Sequence, residues 1–129
     1  MIEYTVKVYD DGHKVWLLDG KRHREDGPAC EFSDGSKLWY RNGLLHRVDG
    51  PAVECANGTK FWYLNGFLHR VDGPAIEYPD GRKFWYFDGK ELTEEKFNKK
   101  MKKHTITIDG KNIDISEESY QKMKDSLTS

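Results

Sequence analysis

A repeat of 23 residues constrains the fold of this chain more than any other feature of its sequence. Asp-Gly or Asn-Gly pairs, His-Arg pairs, Asp-Gly-Pro-Ala segments and single tryptophans all recur at this interval. Three full units span residues 11–33, 34–56 and 57–79, and partial units lie at 1–10 and 80–90. Such self-similarity is typical of repeat proteins, in which each unit buries its apolar surface against its neighbours.

Each unit has the pattern of a β-hairpin. Aromatic and β-branched residues lie between Asp-Gly or Asn-Gly pairs, and these dipeptides favour tight turns. A three-residue loop at the first turn pairs Glu54 with Lys60, whereas a two-residue loop would place Glu54 opposite Phe61. Opposite charges across two strands stabilise their pairing. We therefore predict three-residue loops, with the equivalent cross-strand pairs Glu31–Lys37 and Glu77–Lys83.

Alternation along the strands divides the predicted sheet into two faces. One face is apolar, and we expect it to be the buried one; it carries Val15, Leu17, Cys30, Phe32, Leu38, Tyr40, Val53, Cys55, Phe61, Tyr63, Ile76, Tyr78, Phe84 and Tyr86. The opposite face carries the column of tryptophans, the Glu–Lys pairs and the small residues Ala29, Ala52 and Ala75.

Residues 91–129 leave the repeat and predict a small α+β cap. The expected elements are a helix with Thr93 as its N-cap that runs to about Lys103, a hairpin at 105–108 and 112–115, and a helix from Ser116 to about Leu127. Such a cap would cover the open edge of the last hairpin. The predicted fold is therefore mainly β, a tandem antiparallel β-hairpin repeat sheet over residues 1–90 with a helix–hairpin–helix cap over 91–129.

Composition and charge exclude several classes of protein. The 21 Lys and Arg residues are balanced by 22 Asp and Glu residues, so the chain as a whole lacks the basic character of many nucleic-acid binders. No apolar run approaches roughly 20 residues, the length that spans a bilayer, and the N-terminal residues lack a signal-peptide pattern. Cys30 and Cys55 are too few for a disulfide framework. We expect a cytoplasmic protein with reduced thiols and no cofactor.

The column of tryptophans is the first candidate site. We predict a protein-binding surface, because tryptophan is enriched at interface hot spots; its residues are Trp16, Trp39, Arg41, Trp62 and Trp85. The alternative is that each tryptophan packs on neighbouring strands as a second apolar layer beneath lysine stems.

A run of lysines is the second candidate, for the binding of anions such as nucleic acid or lipid headgroups. It comprises Lys96, Lys99, Lys100, Lys102 and Lys103. The alternative is a solvated helix end, whose cations complement the helix dipole while Glu94 and Glu95 do so at the other end.

The segment His-Arg-x-Asp-Gly-Pro-Ala is interpreted as structural. Equivalent histidines lie about 9–10 Å apart if each unit adds two strands, so they cannot share one metal ion. We expect Arg47 to pair with Asp49 or Glu54, and Asp49 to cap its own turn. Gly50 would supply a positive φ before Pro51.

The repeat resembles the MORN repeat in its period, its aromatic strand, its Asn-Gly turn and the histidine that follows; residues 60–69 match that pattern best. Where MORN repeats have Gly after His, this chain has Arg24, Arg47 and Arg70, each followed by Asp-Gly-Pro-Ala after one residue. It is therefore more similar to MORN-variant proteins of bacteria and bacteriophages. The resemblance covers about residues 5–100. It implies consecutive hairpins that form an elongated sheet, a scaffold that binds proteins and, in phage members, an inhibitor of a host or defence protein in the host cytoplasm.

The predicted function is thus non-catalytic protein binding by steric occlusion or bridging. Binding of nucleic acid or an anionic membrane surface through the lysine-rich helix is one alternative. An unrecognised enzyme, with a Cys–His pair as nucleophile and base, is a weak second one, because no phosphate loop, nucleophile elbow or Cys-x-x-Cys motif is present. The edge strand at residues 2–9 also favours a homodimer.

Overall fold

The computed structural model describes residues 2–128 of the chain. The fold is mainly β, an antiparallel hairpin sheet of many strands with two helices near the C-terminus, as the sequence predicts. The chain divides into two compact units, one that ends at Glu91 and one that begins at Leu92.

The strands of the repeat region are short, and most contain only two residues. In chain order they are β1 (Thr5–Val8), β2 (Lys14–Leu18), β3 (Lys21–Arg22), β4 (Cys30–Glu31), β5 (Lys37–Leu38), β6 (Tyr40–Arg41), β7 (Leu44–Leu45), β8 (Val53–Glu54), β9 (Lys60–Phe61), β10 (Tyr63–Leu64), β11 (Phe67–Leu68), β12 (Ile76–Glu77), β13 (Lys83–Phe87) and β14 (Lys90–Leu92). The main sheet has the order β1-β2-β4-β5-β8-β9-β12-β13-β14, and β3 pairs with β2. β6–β7 and β10–β11 form separate two-stranded hairpins. Units 34–56 and 57–79 thus each add two strands to the main sheet and one small hairpin beside it.

The predicted register of the hairpins is confirmed. Glu54 lies opposite Lys60 on the neighbouring strand, and Val53 lies opposite Phe61. The equivalent pairs Glu31–Lys37, Glu77–Lys83 and Ile76–Phe84 are also present. Lys37 faces Glu54 across the boundary between units as well, so glutamates and lysines alternate across successive strands. Charge complementarity therefore specifies both the pairing within a unit and the pairing between units.

The first turn of each unit is the predicted three-residue loop. In the loop after β4, Phe32 N–H donates to Ser36 C=O at 2.9 Å, and Gly35 N–H donates to Phe32 C=O at 3.0 Å. Gly35 has φ +96°, a left-handed conformation that glycine adopts without steric cost. Asp34 Oδ1 accepts from Ser36 N–H at 2.8 Å, which explains the aspartate of the Asp-Gly pair.

The second turn of each unit is a two-residue loop of type I′. In the hairpin β6–β7, Asn42 has φ 49° and Gly43 has φ 81°. Two positive φ values in succession match the right-handed twist of the flanking strands, and the Asn-Gly sequence tolerates both. These turns also bind the preceding unit, since Gly66 N–H donates to Leu45 C=O at 2.8 Å. The small hairpins therefore connect each unit to the one before it.

The expectation of one buried face is only partly correct. On the apolar face, Val15, Cys30 and Ile76 are buried, whereas most other members are half-buried and Phe32 is exposed. The residues with the least exposure lie on the opposite, tryptophan-bearing face: Ala29, Ala52 and Ala75 are each 0% exposed. A single-layered sheet with strands this short gains its packing from both faces, which strand alternation alone does not predict.

The second compact unit, which begins at Leu92, contains α1 (Glu94–Met101), β15 (Lys103–Ile108), β16 (Lys111–Ser116) and α2 (Glu117–Thr128). Thr93 is the N-cap of α1, and its side chain accepts from Lys96 N–H at 3.1 Å. The first helix therefore begins where the sequence predicts and ends about one half-turn earlier than expected. Ser116 Oγ accepts from Ser119 N–H at the start of α2.

We expect Gly35→Ala to lower the free energy of unfolding by about 1 kcal/mol or more, because an alanine at φ +96° is strained. A Cβ at Gly35 would meet no other heavy atom within 4 Å, so the cost comes from the backbone alone. Gly35→Asn is the control, and it should cost less because asparagine tolerates left-handed φ. Urea unfolding measures both; equal losses for the two variants would contradict this account of the loop.

Candidate functional site

The guanidinium group of the arginine in each His-Arg pair lies over the ring of a tryptophan of the same hairpin. The guanidinium carbons of Arg24, Arg47 and Arg70 lie 4.0, 3.9 and 3.8 Å from the ring centroids of Trp16, Trp39 and Trp62. A cation over an indole face is attracted by the ring quadrupole, and arginine adds planar stacking. The segments 23–29, 46–52 and 69–75 that carry these arginines are called the signature loops below.

The edge of each guanidinium is bound by acceptors of its own unit. Arg47 Nε donates to Asp49 Oδ1 at 2.9 Å, and Arg47 Nη1 donates to the carbonyl of Pro51 at 3.1 Å. Nη1 also lies 3.5 Å from Glu54 Oε1. The predicted pairs of Arg47 with Asp49 and Glu54 are therefore both present. The planar fork of arginine reaches all three acceptors while its face stays on the indole, an arrangement that lysine cannot adopt.

The glycine of each signature loop has a different role from the predicted one. Gly50 does not have a positive φ, unlike the glycines of the turns. Instead, a Cβ at Gly50 would lie 2.9 Å from Arg47 Cζ, closer than such atoms approach in proteins. The same holds at Gly73 for Arg70. A side chain at this position would displace the guanidinium from its place against the backbone.

The tryptophans do not form a row of fully exposed rings on this face of the sheet. All four are half-buried, and arginine guanidinium groups rather than lysine stems cover three of them. Thr93 has the same place relative to Trp85 that these arginines have relative to their tryptophans, and the chain has no arginine after Arg82. The first three rings therefore serve the packing of the signature loops, and each offers only part of its surface to a partner.

The histidine of each signature loop binds the turn of the following unit. His46 Nδ1 accepts a hydrogen bond from the backbone N–H of Asn65 at 3.0 Å. Because a backbone N–H can only donate, this ring nitrogen carries no proton, and the ring proton lies on Nε2. Equivalent bonds join Asn42 to His23 and Asp88 to His69. A doubly protonated ring has no acceptor, so this contact between units requires neutral histidine.

His46 differs from the other two histidines in its charged neighbours. A carboxylate lies beside each of the other two rings: Glu25 Oε1 is 2.7 Å from His23 Nε2, and Asp88 Oδ1 is 3.2 Å from His69 Nδ1. Around His46, Val48 and Asn65 occupy the corresponding positions, and Arg41 is the charged neighbour. Burial, reinforced by the Arg41 cation, lowers the pKa of His46.

Successive signature loops enclose two grooves on the tryptophan-bearing face. The first groove, between segments 23–29 and 46–52, has a volume of 520 Å³ and is lined by Trp39 and Arg41. The second groove, between segments 46–52 and 69–75, has a volume of 470 Å³ and is lined by Trp62. Of the predicted binding residues, Trp39, Arg41 and Trp62 therefore line grooves, whereas Trp16 and Trp85 line neither of these two.

The two grooves differ in chemistry at equivalent positions. In the first groove, Arg41 Nη2 pairs with Glu25 Oε2 at 2.8 Å. In the second groove, Leu64 and Val48 occupy the places of these two charged residues. The second groove is therefore the more apolar of the two.

Exposed apolar residues lie beside the grooves. Val48 is 82% exposed, and its equivalent Val71 is about half exposed. Phe67 is 60% exposed, and its equivalent Leu44 is about half exposed. In the outer units, which are the first full unit (11–33) and the last partial unit (80–90), the corresponding positions carry the charged residues Lys21, Glu25 and Lys90. These residues are not among the binding residues that the sequence predicts. The signal that could have identified them is an apolar residue in the two central units (34–56 and 57–79) where a flanking unit has a charged one.

Leu44 and Phe67 share the face of the grooves. Leu44 lies opposite Arg41 in its hairpin, and Phe67 lies opposite Leu64. Directly opposed residues of a hairpin project to the same side of the sheet. Arg41 and Leu64 both line grooves, so the exposed apolar residues extend the groove-bearing surface.

The predicted lysine run lies in the second compact unit, outside the repeats. All five lysines are exposed; Lys96, Lys99 and Lys100 belong to α1, Lys102 is its C-cap and Lys103 begins β15. Glu94 and Glu95 occupy the first turn of the same helix, and Lys99 and Lys100 the last. This distribution of charges complements the helix dipole, which agrees with the interpretation as a solvated helix end.

Other chemistry finds little support in the described residues. Cys30 is buried and Cys55 half-buried, and burial raises the pKa of both thiols, which disfavours the nucleophilic thiolate. Within residues 2–128, no group of three or more His, Cys, Asp or Glu side chains could hold a metal ion. In the same part of the chain, neither helix is long and apolar enough to cross a bilayer.

Neither a known protein family, nor a curated protein, nor a solved structure matches this chain. Its function is therefore inferred from its own side chains, above all from the grooves and the exposed residues beside them.

We expect Arg47→Lys to lower the free energy of unfolding by about 1–2 kcal/mol, because lysine loses the stacking on Trp39 and the fork that binds Asp49. Arg41→Lys is the control, since Arg41 is an exposed arginine of the same unit. Urea unfolding followed by tryptophan fluorescence measures both variants. If both arginines tolerate lysine equally well, the stacked guanidinium does not stabilise the unit.

We expect the protein to lose stability as the pH falls from about 7.5 to about 5. The pKa of His46 is lowered on folding, so the unfolded chain takes up the proton at a higher pH than the folded chain. The stabilisation that this residue provides is complete above the unfolded pKa of roughly 6.5 and is lost as the pH falls below it.

His46→Asn tests this assignment, because asparagine offers an acceptor for Asn65 N–H without a titrating ring. The variant should be less stable near neutral pH, and its free energy of unfolding should vary less between pH 7.5 and 5. Denaturant unfolding across this range measures the difference in slope. Identical slopes for the two proteins would show that His46 does not contribute.

Proposed function

We propose that this chain is a non-catalytic protein-binding module, a MORN-like repeat array whose partner lies across the grooves of the tryptophan-bearing face. The observation that carries the proposal is the set of exposed apolar side chains in the two central units, which are Leu44, Val48, Phe67 and Val71. Contiguous exposed apolar residues with a polar border mark interaction surfaces in soluble proteins.

The repeat supplies an internal comparison that supports this proposal. Leu44 and Phe67 correspond to Lys21 in the preceding unit and to Lys90 in the following partial unit. Leu44 and Phe67 lie against the glycine of the next turn, and the stem of Lys21 lies against Gly43 in the same way. The fold therefore accepts a lysine at this position, and its packing does not require an apolar side chain. An exposed phenylalanine or leucine at a position that tolerates lysine is better explained by contact with another molecule.

The mechanism that we propose is steric. The arginine–tryptophan stacks and the histidine contacts fix the signature loops before any partner arrives, so binding orders few protein groups. A preformed surface of this kind can occlude the functional site of a partner or bridge two partners. By resemblance to the MORN-variant proteins, the partner that we propose is a host or defence protein met in the cytoplasm.

The test is affinity capture from a bacterial cell extract with the full chain and a Leu44→Lys/Phe67→Lys variant. These substitutions reproduce the residues of the outer units, so the variant should fold normally, as circular dichroism and thermal unfolding can verify. Ile108→Lys is the matched control, because Ile108 is a half-exposed apolar residue of the second compact unit, outside the repeats. We expect a protein captured in moderate salt by the wild type and the control, with at least about tenfold loss for the double variant.

Two results would overturn the proposal. One is a protein partner that all three chains retain equally, which would place the interface elsewhere. The other is capture of nucleic acid or lipid alone, released as the salt concentration rises and lost in a Lys99→Glu/Lys103→Glu variant. That second result would assign binding to the lysine run.

A further inference from the structure

We propose that the segment bound across the two grooves is an extended, proline-rich peptide in the polyproline II conformation, with apolar side chains three residues apart and basic residues beside them. This inference rests on the proposed function, because it specifies the partner of the same surface. Three features of the array carry it: the spacing of the grooves, their lining and the charge of their rims.

The spacing of the grooves matches the pitch of a polyproline II helix. Each unit adds two strands to the main sheet, so equivalent points of neighbouring units lie about 9.6 Å apart. A polyproline II helix repeats every three residues at about 3.1 Å each, so side chains on one side recur every 9.3 Å or so. One side chain at every third residue can therefore enter each successive groove.

The other regular conformations match this spacing less well. In a β-strand, side chains on one face recur at about 6.6 Å and then at about 13 Å, and neither distance matches the grooves. In an α-helix, residues seven apart share a face at about 10.5 Å, which exceeds the groove spacing by roughly 1 Å per unit.

The lining of the grooves suits proline and an aliphatic side chain. The second groove presents the part of Trp62 that Arg70 leaves uncovered, together with the exposed Val48 and Val71 and with Leu64. Aromatic-lined grooves recognise polyproline II segments because this conformation is preformed and loses little entropy on binding. The first groove contains Trp39 with the Glu25–Arg41 pair, so it offers the same aromatic surface beside polar groups.

The rims of the grooves are acidic. Asp26, Asp49 and Asp72 are 83%, 86% and 79% exposed, whereas the side chains of their arginine partners are only about one-fifth exposed. The hydrogen bond from Arg47 lowers the pKa of Asp49, so this carboxylate is ionised at neutral pH. These three aspartates thus face the solvent while their arginine partners are held against tryptophan, and Arg41, the exposed cation of the first groove, is paired with Glu25. Lysine or arginine residues of a peptide complement this rim.

The test is a titration of the ¹⁵N-labelled full chain with three synthetic peptides. The first has the sequence Arg-Pro-Leu-Pro-Pro-Leu-Pro-Arg, with leucines three residues apart. The second, Arg-Pro-Pro-Leu-Pro-Leu-Pro-Arg, has the same composition with leucines two residues apart. The third is a helical peptide with leucines seven residues apart and the same net charge. The four tryptophan indole N–H signals report on binding, because Trp39 and Trp62 line the grooves and Trp85 lines neither.

We expect the first peptide to shift the indole signals of Trp39 and Trp62 and to leave that of Trp85 unchanged. It should bind about tenfold more tightly than the second peptide, and more tightly than the helical one. Val48→Glu/Val71→Glu should abolish binding, and this variant should fold because Glu25 occupies the same position in the first unit. Ile108→Glu is the matched control and should bind like the wild type.

Three results would overturn this inference. They are equal affinity for the two proline-rich peptides, tighter binding of the helical peptide, and binding that Val48→Glu/Val71→Glu leaves intact. If none of the peptides binds while a protein partner is still captured through Leu44 and Phe67, the inference is wrong and the proposed function stands. If peptide binding and capture through these residues both fail, the proposed function fails as well.

Discussion

The stacking of arginine on tryptophan is the interaction on which the repeat depends. A strand of two residues forms few hydrogen bonds, so each unit needs further contacts to hold its own strands and loop together. Arg47 provides them by placing its face on Trp39 while its edge binds an aspartate, a carbonyl and a glutamate of the same unit. The arginine, the aspartate and the glycine of the signature segment all follow from this contact.

The contacts between units follow a second rule, in which each turn binds the histidine of the unit before it. His46 accepts from the backbone of Asn65, and the neighbouring glycine of that turn donates to a carbonyl of the earlier unit. In a repeat protein, such nearest-neighbour contacts determine how cooperatively the units fold. Because His46 must be neutral to accept and its pKa is lowered, this contact between units is lost only when the pH falls into the acidic range.

The binding surface that we propose arises where the units differ rather than where they agree. The constant residues form the stacks, turns and charge pairs, and they fix the positions of the signature loops. The variable positions beside them, such as Glu25 against Val48 or Arg41 against Leu64, give each groove its own chemistry. A partner segment with matching variation along its length would therefore bind in one register and one direction.

The sequence by itself determined the hairpins, their register and the start of the first helix. Each of these depends on residues close in the chain: the turn dipeptides, the Glu54–Lys60 pair and the N-cap Thr93. Only the tertiary structure decided what lies against each tryptophan, why Gly50 is a glycine and where the grooves are. Strand alternation assigns a side chain to a face but not to a neighbour, and a groove exists only when loops from successive units come side by side.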